Sequence, residues 1–154
     1  MQSLDRRVLA LDVGERRIGV AMSDTTGTLA TPFTTINARV RERAIAQIVA
    51  LVRTHEVAEV VVGLPLNMNG EAGPQAKQVR VFAEALEAVL GYEVQFFDER
   101  LTTVVAEQIL REMGLRPEKR RERIDEVAAS IILQDYLDHH RSLQRIKESP
   151  VTQE

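Results

Sequence analysis

Glu59-Val60-Val61-Val62-Gly63 constrains the fold of this chain more than any other segment, being a short, unbroken β-branched run closed by Leu64-Pro65. A strand without polar alternation is of the kind buried on both faces, as parallel strands are inside an α/β sheet, and proline after it ends the ladder. The flanking segments supply covers. Between Val40 and His55 the residues Ala44, Ile45, Ile48, Val49 and Val52 recur at helical spacing. Val79, Phe82, Ala83, Leu86, Val89 and Leu90 do so again before Gly91, a suitable helix stop.

Val8-Leu9-Ala10-Leu11-Asp12 and Ile18 to Ser23, joined through Gly14-Glu15-Arg16, predict a β-hairpin. A third strand is expected over Ala30–Ile36 and another over Glu93–Phe97, with a loop at Leu66–Pro74 between the two helical segments' flanking runs. Thr102 can cap a helix running to Met113, stopped by Gly114. Arg116 to Arg123 reads as a charged connection containing Pro117, and a largely buried final helix is expected from about Ile124. In chain order these elements predict an α/β fold: a mixed sheet of antiparallel hairpin strands followed by parallel strands, with helices on both faces. At 154 residues this is one domain, assigned to residues 1–140. From Arg141 onward few apolar residues remain, so residues 141–154 are expected to be a disordered tail.

Composition removes whole classes of chemistry. With no cysteine there is no disulfide, thiolate zinc site or cysteine nucleophile. The three histidines, His55, His139 and His140, fall near the ends of helical patterns, where solvated or capping roles are expected. No apolar run is long enough to cross a bilayer, and Met1 to Arg7 lacks a signal's apolar stretch, so a cytoplasmic location is expected. The net charge of −3 does not announce a nucleic-acid binder; that function would need a local basic patch.

Acids stand where a sheet of this kind collects ligands. Asp12 ends the first strand, Asp98-Glu99 the last, and Asp125 is read as opening the final helix. Carboxylates and water are the donors magnesium prefers, and two ions roughly 4 Å apart can clamp the attacking and leaving oxygens of a phosphodiester. Taken singly, each acid has an ordinary explanation: Asp12-Val13-Gly14 as a turn, Asp98-Glu99-Arg100 as a solvated strand exit, Asp125 as a helix cap. Their conjunction is what points to a metal site.

The blocks Leu9-Ala10-Leu11-Asp12-Val13-Gly14, Arg17-Ile18-Gly19-Val20-Ala21 with Ser23-Asp24, Val61-Val62-Gly63-Leu64-Pro65-Leu66-Asn67 with Gly70, Asp98-Glu99-Arg100-Leu101-Thr102-Thr103, and Asp125-Glu126-Val127-Ala128-Ala129 together resemble the YqgF family. These bacterial proteins are described as Holliday junction resolvases or pre-16S rRNA nucleases, and the resemblance runs in order from about Val8 to Leu137. It implies a ribonuclease H-like fold, a divalent metal (magnesium, or manganese in its place), and maturation of the 5′ end of small-subunit ribosomal RNA. It also implies a nucleic-acid partner, RNA in preference to branched DNA, within pre-ribosomal particles. Carried onto this chain, the metal-site acids are Asp12, the pair Asp98 and Glu99, and Asp125. Neighbours on a strand point to opposite faces, so the pair leaves two choices; Glu99, with the longer reach, is preferred. The candidate catalytic acids are therefore Asp12, Glu99 and Asp125.

For nucleic-acid contacts the candidates are Arg16 and Arg17 in the hairpin, Asn67 and Asn69 in the loop, Arg100, and the run Lys119, Arg120 and Arg121. Glu118 and Glu122 interrupt that run, so a solvated linker is the plain alternative. Competing functions are a junction resolvase, a non-catalytic nucleic-acid-binding module, and one lobe of an Asp-x-Gly ATPase. The last needs a second lobe that this length does not supply. The oligomeric state is open.

Overall fold

A computed structural model of the protein describes residues 6–99, 108–114 and 116–148. The elements are β1 (Val8–Val13), β2 (Arg17–Ser23), β3 (Ala30–Asn37), α1 (Arg41–Thr54), β4 (Glu59–Leu64), α2 (Pro74–Leu90) and β5 (Gln95–Asp98), then a helical stretch at residues 108–112 (α3) and α4 (Pro117–Glu148). The strands form one sheet in the order β3-β2-β1-β4-β5. β1, β2 and β3 pair antiparallel, whereas β4 runs parallel to β1 and β5 parallel to β4. This is the expected mixed α/β sheet. Its hairpin turn is tight: the Gly14 N–H donates to the Arg17 carbonyl at 2.9 Å, and a Cβ on Gly14 would come within 2.8 Å of that same oxygen.

Alternation along the strands divides the core in two. Leu9 and Leu11 of β1, with Ile18, Val20, Val60 and Val62, face α1 and α2, whose Ile45, Ile48, Val49, Val79, Phe82 and Leu86 complete the larger core. Val8 and Ala10, with Ala21 and Val61, face α4 and pack against Ala129, Ile132, Leu133, Tyr136 and Leu137. The Val60–Val62 run is thus covered on both sides. Each fully buried aliphatic side chain contributes roughly 1.5–3 kcal/mol, so the two layers hold the sheet from both faces. Val89, grouped with the apolar stripe of α2 on spacing alone, is half exposed on the outer side of that helix.

The end of α2 matches the sequence, with Leu90 followed by the Gly91 cap at φ 85°, but the helix begins at Pro74, the residue expected to close the preceding loop, because proline suits a helix's first position. Helix boundaries also differ at α4. Of the stretch expected as a charged connection, Arg116 to Arg123, all but Arg116 forms the first two turns of that helix, begun by Pro117. Proline is at home in a helix's first turn, and Glu, Lys and Arg are strong helix formers, so a run that looks like a linker by charge is helical by propensity. The helix also continues to Glu148, past the expected start of the tail at Arg141, through further Arg, Gln, Lys and Glu. Residues 149–154 lie outside the described part, as does Thr102, the expected cap of the preceding helix; Gly114 does end it, at φ 73°.

Candidate metal centre

Two glycines flanking Asp12 build the site. Asp12 is the C-terminal acid of β1 on the face that carries Val8 and Ala10, and so it faces α4. Across the antiparallel ladder its partner is Gly19 of β2. α4 crosses the sheet there so closely that a Cβ on Gly19 would overlap the backbone carbonyl of Asp125. On the other side, one step beyond the Leu11–Val62 pair, lies Gly63 of β4, where a Cβ would run into the Glu99 carboxylate and the Ile132 side chain. Asp125 and Glu99 thus approach Asp12 from opposite sides through gaps that only glycine leaves open.

Of the pair Asp98 and Glu99, Glu99 is the one brought beside Asp12. Phe97 packs into the α4-side core, so Glu99, two residues on, falls on the same face, and its backbone N–H donates to the Leu64 carbonyl at 3.3 Å. Asp98 is exposed, and its charge acts on Glu99. Asp125 lies in the third turn of α4, not at its start, so it caps nothing. Its Oδ2 accepts a hydrogen bond from Arg17 Nε at 2.8 Å.

Electrostatics show how these acids coexist. Burial is the largest influence on Asp12 and, with the neighbouring Asp125 charge, raises it to about 6 against a stabilising hydrogen bond from Glu99. Glu99 is pushed up to about 8, first by burial, then by the Asp12 charge, its hydrogen bond to Asp12 and the Asp98 charge. Near neutral pH Glu99 therefore keeps its proton and donates it to Asp12. Arg17 neutralises Asp125, and this pair, with side chains 56% and 22% exposed, is worth only about 0.2–1 kcal/mol and is easily given up.

Three carboxyls around one strand end are the donor chemistry that suits magnesium or manganese. Among the described residues no three acids or histidines already stand in a ready-made ligand cluster. Loading a cation onto Asp12, Glu99 and Asp125 thus requires loss of the shared proton and release of Asp125 by Arg17.

A pH dependence follows. Both carboxyls are raised above their ordinary values of 3.8 and 4.5, so the folded protein binds more protons than the unfolded chain. The resulting stability is complete below those ordinary values and is lost as pH climbs through about 6 and about 8. In chelator, the melting temperature should fall across that window, and Glu99→Gln should flatten the fall. A wild-type profile that is level from mildly acidic to mildly alkaline pH contradicts proton sharing.

The other candidates are placed as follows. Arg16 is exposed at the hairpin turn. Asn69 Oδ1 accepts the Glu71 N–H at 3.1 Å, and Asn67 pairs through its backbone with Glu71, so the loop after β4 closes on itself around Gly70, at φ 84°. Asn69 is thus engaged within the loop. Arg100 lies outside the described residues; Lys119, Arg120 and Arg121 have their backbone in the opening turns of α4, and their side chains are outside them. His55 follows the last turn of α1, where its N–H donates to the Leu51 carbonyl; His139 lies tilted beside Phe97 and His140 stacks on Tyr136. Sequence reasoning missed the spatial roles of Gly19 and Gly63 and the Arg17–Asp125 pair. The only signal for the glycines was their place in strands, where glycine often marks a close approach of another segment.

The fold defines a ribonuclease H-like domain of the resolvase type. Thermus thermophilus RuvC, solved in complex with a Holliday junction substrate, superposes with a TM-score of 0.57 at 13% identity, covering 89% of this chain and 96% of that one. The chain belongs to the RuvX family, the one the YqgF resemblance indicated: the family model, described as Holliday junction resolvase, matches residues 6–139. A Chloroflexus aurantiacus relative named "Putative pre-16S rRNA nuclease" is 62% identical over 138 residues, 90% of each chain. A Roseiflexus relative of the same name is 55% identical over 141 residues, 92% of this chain and all of its own.

Proposed function

We propose that this chain is a divalent-metal-dependent hydrolase of nucleic-acid phosphodiesters that processes the 5′ end of precursor small-subunit ribosomal RNA. The observation that carries the reading is the convergence of Asp12, Glu99 and Asp125 around the end of β1, two of them joined by a shared proton. The relatives' shared name supports RNA as the substrate. Asp12, Glu99 and Asp125 would hold magnesium or manganese, which when bound supplies the charge that activates water and stabilises the departing oxygen. With a cation held there, Asp12 and Glu99 would no longer share a proton, and Arg17, now on Asp125 at 2.8 Å, would be free to meet substrate phosphate. The proposed nuclease domain is residues 1–140, working in the cytoplasm on pre-ribosomal particles; among the described residues no helix is long and apolar enough to cross a membrane.

The family model's description favours a second reading, cleavage of four-way DNA junctions. Purified protein on a precursor rRNA fragment beside a four-way junction, each with magnesium and with chelator, separates the two. We expect magnesium-dependent cleavage of the RNA and an intact junction. Junction cleavage alone transfers the assignment to the resolvase reading, and no cleavage of either leaves a binding module.

A further inference from the structure

Next to the acids, on the β2–β3 side of the sheet, lies a cleft of about 480 Å³ lined by Arg16, Arg17, Thr35, Ile36, Asn37 and Arg39. Three of its six lining residues are arginines and none is acidic, in a chain whose net charge is −3. The cleft is held by its own backbone. The Ala38 N–H donates to the Arg16 carbonyl at 2.9 Å, and Asn37 Oδ1 accepts the Arg39 N–H at 2.9 Å, so the segments that carry these arginines are tied together. Massing like charges in this way is unfavourable unless an anion joins them.

A second observation points the same way. The Thr35 hydroxyl lies in the wall of this cleft, shielded from solvent, and among the described residues it has no hydrogen-bond partner. A buried hydroxyl left unpaired costs stability, and its unspent hydrogen-bonding capacity is available to a ligand. Arg17 joins this cleft to the acids, spending its Nε on Asp125 at 2.8 Å.

We propose that the cleft binds a phosphodiester group of the nucleic-acid strand, next to the one being cut. Resting on the nuclease reading, this adds a binding subsite to it. Guanidinium forks match phosphate oxygens two at a time, which suits three arginines around one opening. A phosphate drawing on Arg17 would also compete with Asp125 for it, so strand binding and the freeing of a metal ligand would favour each other.

The test uses the full chain carrying Arg16→Gln and Arg39→Gln together. Both side chains are exposed, and neither belongs to the acid cluster, so the fold and metal response should persist. Binding of a short fluorescent single-stranded RNA is measured in chelator over a range of salt, and magnesium-induced stabilisation is followed by melting. The double variant should bind about tenfold or more weakly, and its salt slope should flatten by about 0.7, the value for one lost single-strand phosphate contact. Its magnesium-induced shift in Tm should equal that of wild type. If wild type binds the RNA and the variant matches it in affinity and slope, the cleft is no phosphate site, while the nuclease reading stands. If wild type neither binds RNA nor responds to magnesium, both fall.

Discussion

Asp12→Asn will cut magnesium-dependent cleavage by about a thousandfold or more while leaving the metal-free protein at least as stable as wild type. The two effects separate because the carboxylate is needed for charge and costs energy when it is empty. Asp12 sits partly buried between Glu99 and Asp125, and burial and the Asp125 charge both resist its ionisation. Asparagine keeps the shape and can still accept the Glu99 proton, yet it carries no charge to repel Asp125. Losing one ligand from a cation that contributes several kcal/mol to the transition state accounts for three decades of rate. The stability gain should be on the order of 1–2 kcal/mol in chelator at mildly alkaline pH, where wild type holds the most unpaired charge. Cleavage of a precursor rRNA fragment and melting curves with and without magnesium measure both. Retained activity removes Asp12 from the metal site; a marked loss of stability means its carboxylate makes structural hydrogen bonds.

Gly19→Ala is expected to be the most disruptive addition of a single methyl anywhere in the described sheet. The new carbon would overlap the Asp125 carbonyl and come within 2.9 Å of the Glu126 nitrogen, and backbone cannot rotate out of the way as a side chain can. α4 must then lift from β2, loosening Ala129, Ile132 and Leu133 from the sheet. Overpacking typically costs 1–3 kcal/mol, and a backbone obstacle places this case at about 3 kcal/mol or beyond. Gly70→Ala is the control: nothing lies within 4 Å of its Cβ, so it carries only the penalty of a positive φ, about 1 kcal/mol. Thermal melts of the two variants should differ widely, and Gly19→Ala should lose its magnesium response as Asp125 moves away. Equal melting temperatures would falsify the close crossing of α4 over β2.

The strands were legible because their burial is written into local pattern. Val60-Val61-Val62 could only be a covered strand, and the hairpin residues around Gly14 could only turn back. The start of α4 was not, because charge density in Lys119 to Glu122 suggests a solvated linker just as well as a helix's opening turns, and only the context of Pro117 decides. The three acids were legible as strand-end and helix carboxyls. Choosing Glu99 over Asp98 needed the face of β5, fixed by where Phe97 packs. The contacts made by Gly19 and Arg17 join residues more than a hundred positions apart, so no local pattern could express them.

That same separation orders events while the chain is being made. The β1–β2 hairpin closes over a few residues and can form early, because short loops lose little entropy on closure. Asp125 reaches Arg17 across 108 positions and must wait for α4 to dock. A nascent chain therefore carries Asp12 and its glycine gaps well before it carries a complete set of acids. On the proposed reading, hydrolytic capacity would wait for α4 to dock on the sheet and bring Asp125 to Arg17.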